Sequence, residues 1–308
     1  MELMKIYFLL VRRIPPVASP VLLEVFARLR GRGFDVKHGI PEEMVLRPAE
    51  LTVTRDLYVL KSHTELSLSL AGVLHHQGAR LLNPYPNCLA VQNKIVASRI
   101  LRSCEVPTPD CWVTGDLRLL LPVVRRRPLI LKPYLGHRGQ GLHIVRNASE
   151  LESLPPPQSP VLIQEYVEST SGDLKVYVVG EQVFAVRKKF SPSSFTESGA
   201  PCAVSAEVRD VALRCGRALG LGLYGVDLVE GRDRPWVVDV NTFPGYKGVP
   251  DVAPLIADYI AAYATGELTL PLVSLASRSV PRERHGAGDR VSSPGAPLGI
   301  ASRGMEWE

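Results

Sequence analysis

Near its C-terminal third the chain reads PWVVDVN (235–241), a β-branched run that carries Asp239 and Asn241 two residues apart. Alternation along a strand puts Asp239 and Asn241 on one face, with Val238 and Val240 on the other. The run before it, LYGVDLV (223–229), holds Asp227, and only the polar turn EGRDR separates the two. In a hairpin Asp227 then meets Asp239 across the ladder. Facing carboxylates repel unless a cation sits between them. Asp, Asp and Asn are hard oxygen donors, the set that Mg²⁺ takes while keeping water and phosphates as its other ligands. The plain alternative is a solvated edge strand in which Asn241 caps a turn.

A second group of residues suits an anion. Lys132 leaves the apolar run LILK just before the loop GHRGQG (136–141). Glycines let a backbone approach phosphate closely, and the lysine adds a point charge beside it. Lys94 follows the same logic from a helix. A glycine hairpin and a solvated lysine are the bland readings of both. Neither a Walker A sequence nor G-x-G-x-x-G after the first strand is present, which argues against P-loop and dinucleotide-binding folds. Lys61, His137, Arg138, Lys175, Lys188 and Lys189 form a positive pocket if they converge, suited to a polyphosphate or to a carboxylate-rich peptide. Lys188 and Lys189 are neighbours on a strand, so one of them points away. Pro244 and Gly245 end the strand at this site, and Tyr246 and Lys247 read as capping the next helical region.

These residues need a scaffold, and the composition allows one. The chain has 308 residues, 45% of them hydrophobic and 22% charged, enough for two or three lobes around real cores. Its formal net charge of +5 is spread over scattered arginines, so a nucleic-acid partner is not expected. The five cysteines are odd in number and contain no C-x-x-C pair, which fits neither a disulfide framework nor a zinc site and points to a reducing cytoplasm. The apolar start MKIYFLLV is too short for a secretory leader, and no run of about 18 apolar residues suggests a membrane span.

Along the chain, strands and helices alternate. KIYFLLV (5–11) and DLYVLK (56–61) read as strands flanking an amphipathic helix, the start of a parallel α/β lobe over 1–84. LAVQNKIVASRILRSC (89–104) reads as one helix, stopped by the prolines of EVPTPDCW, and opens a lobe over 85–163. A further lobe over 164–272 holds a hairpin turning at Gly180-Glu181, a helix over 206–222, the two Asp-bearing strands and a last helix near 252–264. From Ser274 the sequence turns to Ser, Pro, Gly and Arg with little periodicity, so 273–308 is expected to be a disordered tail, dispensable for catalysis.

Taken in order, Lys94, Lys132 before the glycine loop, the strand IQEYV, Asp173, Asp227, Asp239 and Asn241 resemble the ATP-grasp superfamily, over roughly 4–264. The resemblance implies ATP clamped between two antiparallel α+β lobes, preceded by a parallel α/β lobe that helps to hold the acceptor. It implies that Lys94 and Lys132 bind phosphates, that Gln164, Glu165, Tyr166 and Val167 form the adenine hinge, and that Asp173 faces the ribose. Asp227, Asp239 and Asn241 would then hold Mg²⁺ or Mn²⁺. NPYPNCLAVQNKIVASRILRSCEVPTP, GHRGQG, QEYV and GLYGVDLV look like the RimK-type glutamate ligases that modify ribosomal protein S6. DLYVLK, DLKVYVVGE and DVNTFPGYKGVP look closer to the inositol trisphosphate 5/6-kinases. Lys175 stands where the ligases carry arginine, and Asp239 where they carry glutamate. The expectation is a carboxylate-amine ligase working through an acyl phosphate on a small-molecule or peptide acidic substrate. A polyol phosphate kinase is the alternative, and a nucleotide-binding regulator without catalysis the third. The oligomeric state is not legible.

Overall fold

The structure is a computed structural model, and it describes residues 3–12, 19–135, 141–169, 172–188 and 199–273. Among these residues the strands form three sheets. The first has the order β2-β1-β3-β4 and comprises β1 (Lys5–Leu9), β2 (Asp35–Gly39), β3 (Leu57–Leu60) and β4 (Leu81–Leu82), all parallel. Its crossovers include α1 (Pro20–Gly31) and α2 (Glu65–His76). β3 is buried along its whole length, as a central parallel strand must be when helices cover both faces. β2 escapes sequence reading because DVKHG buries only Val36 and sits at the sheet's edge.

Two helices come next, α3 (Tyr85–Gln92) and α4 (Lys94–Ser103). The single helix expected over 89–104 is therefore broken at Asn93. Its backbone is extended, and its side chain accepts from the backbone N–H groups of Ile95 and Val96. An asparagine satisfies the unpaired donors of a helix start well, so the chain restarts there. The break makes Lys94 the first residue of α4.

The second sheet, ordered β5-β8-β6-β7, is antiparallel: β5 (Cys111–Thr114), β6 (Leu129–Pro133), β7 (His143–Val145) and β8 (Val161–Glu165), with the short helices α5 (Leu121–Val124) and α6 (Ala148–Glu152) between them. Leu129, Leu131 and Ile163 pack with Leu120, Val124 and Leu151 on one face. Alternation leaves Ile130, Lys132, Leu162 and Gln164 on the other.

The third sheet, β11-β10-β9-β12-β13, contains β9 (Asp173–Val179), β10 (Gln182–Lys188), β11 (Ala200–Cys202), β12 (Leu223–Glu230) and β13 (Pro235–Thr242). The β9–β10 hairpin turns where expected, and Gly180 adopts φ +59 there. One face of this sheet is covered by α7 (Ala206–Leu219) together with residues of α3 and α4. The helix carrying Lys94, placed by sequence with the lobe over 85–163, thus shares its apolar core with the five-stranded sheet. On the other face α8 (Val252–Thr265) lies between this sheet and the first lobe, joining Ile256 and Ile260 to Phe26, Leu223 and Tyr246.

Past α8 the chain runs back along the molecule. Asn87, fully buried, donates to the carbonyls of Gly220 and Pro271 at 2.7 and 2.8 Å and accepts from the N–H of Val273 at 2.8 Å. Val273 therefore belongs to the packed structure, one residue beyond the boundary drawn from sequence. The remainder of the expected tail lies outside the described residues. No helix among the described residues is long and apolar enough to cross a membrane.

Candidate active site

One face of the five-stranded sheet carries a cluster of polar and charged residues. Cross-strand register sets Lys188 opposite Asp173, and Lys175 opposite Asp227. Asp227 in turn faces Asp239, and Gly225 faces Asn241. Opposite residues in a ladder share a face, so all six polar side chains lie on one surface. The facing carboxylates expected from sequence are present, and each is matched by a lysine: Nζ of Lys175 lies 2.8 Å from Oδ2 of Asp227, and Nζ of Lys94 lies 2.6 Å from Oδ1 of Asp239. Among the described residues no group of three or more His, Cys, Asp or Glu side chains could hold a metal ion, so the candidate set is two carboxylates and an amide.

The alternation assumed for β13 fails at one place. Asp227 pairs with Asp239 but Leu228 pairs with Val237, so Val238 is the extra residue of a β-bulge. A bulge frees a carbonyl from the ladder, and Lys132 uses it: Nζ donates to the oxygen of Val238 at 3.0 Å. This joins the central sheet to the metal-candidate strand. Lys132 is only 7% exposed, and burial pulls its pKa down to about 8 against the raising effect of Asp239. Burial also disfavours the charge on Lys175, but Asp227, Tyr177 and Asp173 together outweigh it and the pKa is raised overall. Asp173 is shifted up by burial, opposed by Lys175. Tyr177, on the same face, is pushed up to about 12 by burial and stays a neutral phenol.

Across from this strand, Gln164 shares the face of Lys132 and is 3% exposed, and its Oε1 has no hydrogen-bond donor. A cavity of about 20 Å³ there is lined by Gln164, Lys94, Ser98, Thr108 and Asp239. That is room for about one water. The expected hinge is divided. Glu165 points its carboxylate away, to Arg127 at 2.8 Å, while the N–H groups of Glu165 and Tyr166 donate to the carbonyls of Asp110 and Pro128. Side-chain identity at Glu165, Tyr166 and Val167 therefore says little about the nucleotide side.

At the other edge of the site Lys61 directly follows β3 and lies over the Phe243 ring at 5.2 Å from its centroid. His63 approaches the Thr242 hydroxyl at 3.5 Å, and its backbone carbonyl accepts from Gln92. Lys188, 6% exposed, lies on the charged face. His137, Arg138 and Lys189 lie outside the described residues. Gly245 has room for a side chain, a Cβ meeting only Lys247 at 3.7 Å, so neither space nor backbone requires glycine there. Gly225 is different: a Cβ would come within 3.1 Å of Pro244 and 3.5 Å of Tyr177. Sequence reasoning missed the Val238 carbonyl, which a bulge hides from any pattern. It also undervalued Tyr246, which is 1% exposed and donates from its hydroxyl to the Val178 carbonyl at 2.8 Å.

A parallel α/β lobe followed by two antiparallel α+β lobes, with Lys132 and the two aspartates at their junction, is the ATP-grasp fold. The chain superposes on a RimK domain ATP-grasp protein from Sphaerobacter thermophilus with a TM-score of 0.67 at 19% identity, covering 83% of this chain and 98% of that one. It superposes on D-alanine–D-alanine ligase from Bacillus anthracis with a TM-score of 0.63 at 17% identity, covering 87% and 100%. The ATP-grasp ligase PsnB, solved in complex with a precursor peptide and AMPPNP, gives a TM-score of 0.61 at 20% identity, covering 85% and 98%. Residues 91–263 match the RimK-like ATP-grasp domain, and the chain belongs to that family. A Xanthomonas campestris protein named "Probable alpha-L-glutamate ligase" is 30% identical over 207 residues, 62% of this chain and 71% of that protein. A Rhodopirellula baltica protein of the same name is 27% identical over 203 residues, 61% of this chain and 50% of its own length. The chain thus spans half the length of one such relative and about seven-tenths of the other.

Proposed function

We propose that this chain is an ATP- and Mg²⁺-dependent ligase that activates an acceptor carboxylate as an acyl phosphate and lets an amine displace the phosphate. The observation that carries the reading is the junction itself: two in-register aspartates and an asparagine on one sheet face, met from the facing side by the buried Lys132 and from α4 by Lys94. The names of the RimK-like relatives support an amide-forming reaction.

The donor set fits the metal, because Asp227, Asp239 and Asn241 offer hard oxygens from one surface. Bound there, Mg²⁺ supplies positive charge to the phosphates as the phosphoryl group leaves. The chain's own residues do the rest. Lys94 and Lys132 hold the phosphates by charge, and Gln164 presents its unpaired oxygen to a donor such as the adenine amino group. Asp173 is the ribose candidate. Lys175 and Lys188 line the acceptor side, where they stabilise negative charge developing on the transferred group. Lys61, and Arg138, Lys189 and His137 beyond the described residues, remain acceptor candidates, with Gly245 at the strand's end.

The test is to incubate the protein with Mg-ATP and pooled amino acids, acidic peptides and polyol phosphates, with and without hydroxylamine. A hydroxamate together with ADP is expected. A stable phosphate ester would instead make the chain a kinase, a reading that the lysines facing the acceptor also suit, and an absence of ADP would remove both.

A further inference from the structure

The charged face holds more cations than its metal-binding reading calls for. Among the described residues Asp173, Asp227 and Asp239 are met by Lys94, Lys132, Lys175 and Lys188, four ammonium groups to three carboxylates. Both metal-candidate carboxylates have an oxygen already engaged: Oδ2 of Asp227 by Lys175 at 2.8 Å, and Oδ1 of Asp239 by Lys94 at 2.6 Å and by the N–H of Val240 at 3.1 Å. A divalent cation entering alone meets repulsion from the ammoniums and must compete with them for the carboxylates. A polyphosphate entering first meets the opposite field. Its anionic oxygens compete with Asp239 for Lys94, and with the Val238 carbonyl for Lys132.

Building on the metal assignment proposed above, we propose that Lys94 and Lys175 keep the two aspartates closed to a bare divalent cation, and that nucleotide phosphates open the metal site by drawing Lys94 off Asp239. Lys94 then has two duties on one side chain: a substitute cation for Asp239, and a phosphate ligand once ATP arrives. Its place at the start of α4 suits the exchange. The backbone N–H of Lys94 is fixed to the Tyr134 carbonyl at 3.0 Å and Asn93 caps the helix, so the side chain swings from a fixed root. Metal and nucleotide binding are thereby coupled, each favouring the other by the same factor.

Two measurements test this, both independent of turnover. In the first, Mn²⁺ is titrated by electron paramagnetic resonance into nucleotide-free wild type and Lys94→Met, with circular dichroism confirming the fold. Removing one ammonium from beside Asp239 is expected to tighten Mn²⁺ by about tenfold. Lys175→Met, which releases Asp227 instead, serves if Lys94→Met does not fold. In the second, AMPPNP is titrated by calorimetry in EDTA and in Mg²⁺. Asp239→Asn is expected to bind metal-free AMPPNP several-fold more tightly than wild type, because Lys94 no longer has to leave a carboxylate, and to lose the gain that Mg²⁺ gives wild type. Equal Mn²⁺ affinity in wild type and the lysine variants overturns the coupling while leaving the metal assignment standing, provided that Mg²⁺ strengthens AMPPNP only when Asp239 is present. A Mg²⁺ effect that survives Asp239→Asn removes the assignment, and the coupling with it.

Discussion

The two ends of one face of the five-stranded sheet differ in character. Toward one end Val179, Tyr177 and Leu223 pack with Phe243 and Tyr246 beneath α8. Toward the other, the same strands present Asp173, Lys175, Asp227 and Asp239 to the central sheet. The ladder is continuous, so backbone hydrogen bonding cannot explain the change of character. What differs is the cover: an apolar helix over one end, and Lys94 and Lys132 with a small cavity over the other. The boundary is strained. Phe243 and Tyr246 both adopt positive φ, +39 and +50, which ordinary side chains avoid at a cost of about 1–3 kcal/mol each. Burial of both rings and the bond from Tyr246 to Val178 hold them there. The apolar end is thus a foundation that fixes where the charged end sits.

Substituting one residue from each end separates the two roles, and carries the largest effects. Asp239→Asn is expected to lower turnover about 10²–10³-fold, the scale of losing one preorganised charge contact to the transferring group. Its melting temperature should move only slightly, because losing the Lys94 pair is partly offset by relief of repulsion with Asp227. Ile256→Ala, in the fully buried apolar end, is expected to cost about 2–5 kcal/mol of stability while AMPPNP affinity at low temperature stays near wild type. Thermal melts, turnover and calorimetry on both variants give the comparison. If stability and nucleotide affinity fall together in both, the face does not divide as described.

A smaller effect sharpens the comparison on the charged side. Lys132 titrates near pH 8 in the folded chain, below the ordinary lysine value of 10.5. Phosphate binding requires the protonated form, so AMPPNP affinity is expected to weaken as pH rises through about 8, and Lys132→Met should flatten that dependence. Stability moves the other way. Between about pH 8 and 10.5 the unfolded chain binds the proton that the folded chain has released, so this residue's burial penalty is relieved as pH rises across that window. Wild-type affinity that holds steady from pH 7 to 9.5 would show that Lys132 is not a phosphate ligand.

The same contrast explains what is readable in the sequence. The Asp227–Asp239 pair is legible because a short turn joins two strands that each carry an aspartate, but its register is not: with Glu230 paired to Pro235 a regular ladder sets Asp227 opposite Val238, and only the bulge brings Asp239 there. The place of Lys188 on the charged face is equally hidden, since the strand's phase is unknown until β9 supplies a partner in Asp173. The Val238 carbonyl is hidden because a bulge inserts a residue without changing composition. The break at Asn93 escapes notice because the apolar period continues across it, and only the extended backbone of that one residue ends α3. Tyr246 resembles a cap because its partner, Val178, lies 68 residues away. Local rules reach what local contacts decide, and long-range packing decides the rest.

The smallest effects concern the chain's end, where a packed segment gives way to residues 274–308. Asn87 is fully buried, and its amide is satisfied by Gly220, Pro271 and Val273 together. A chain ending at Val273 keeps all three bonds and every described candidate residue. It is expected to melt with the full-length protein and to bind AMPPNP equally. A chain ending at Leu270 removes the Pro271 and Val273 partners and leaves part of a buried amide unsatisfied, which costs about 1–3 kcal/mol. Water reaching the newly opened position reduces that figure, so the drop should fall toward the lower end, with nucleotide affinity unchanged because Asn87 lies on the α7 side of the sheet. Melts of the three chain lengths separate the cases. Should the Val273 form melt normally yet lose AMPPNP affinity, residues 274–308 contribute to the nucleotide site, and the division between foundation and site would have to include them.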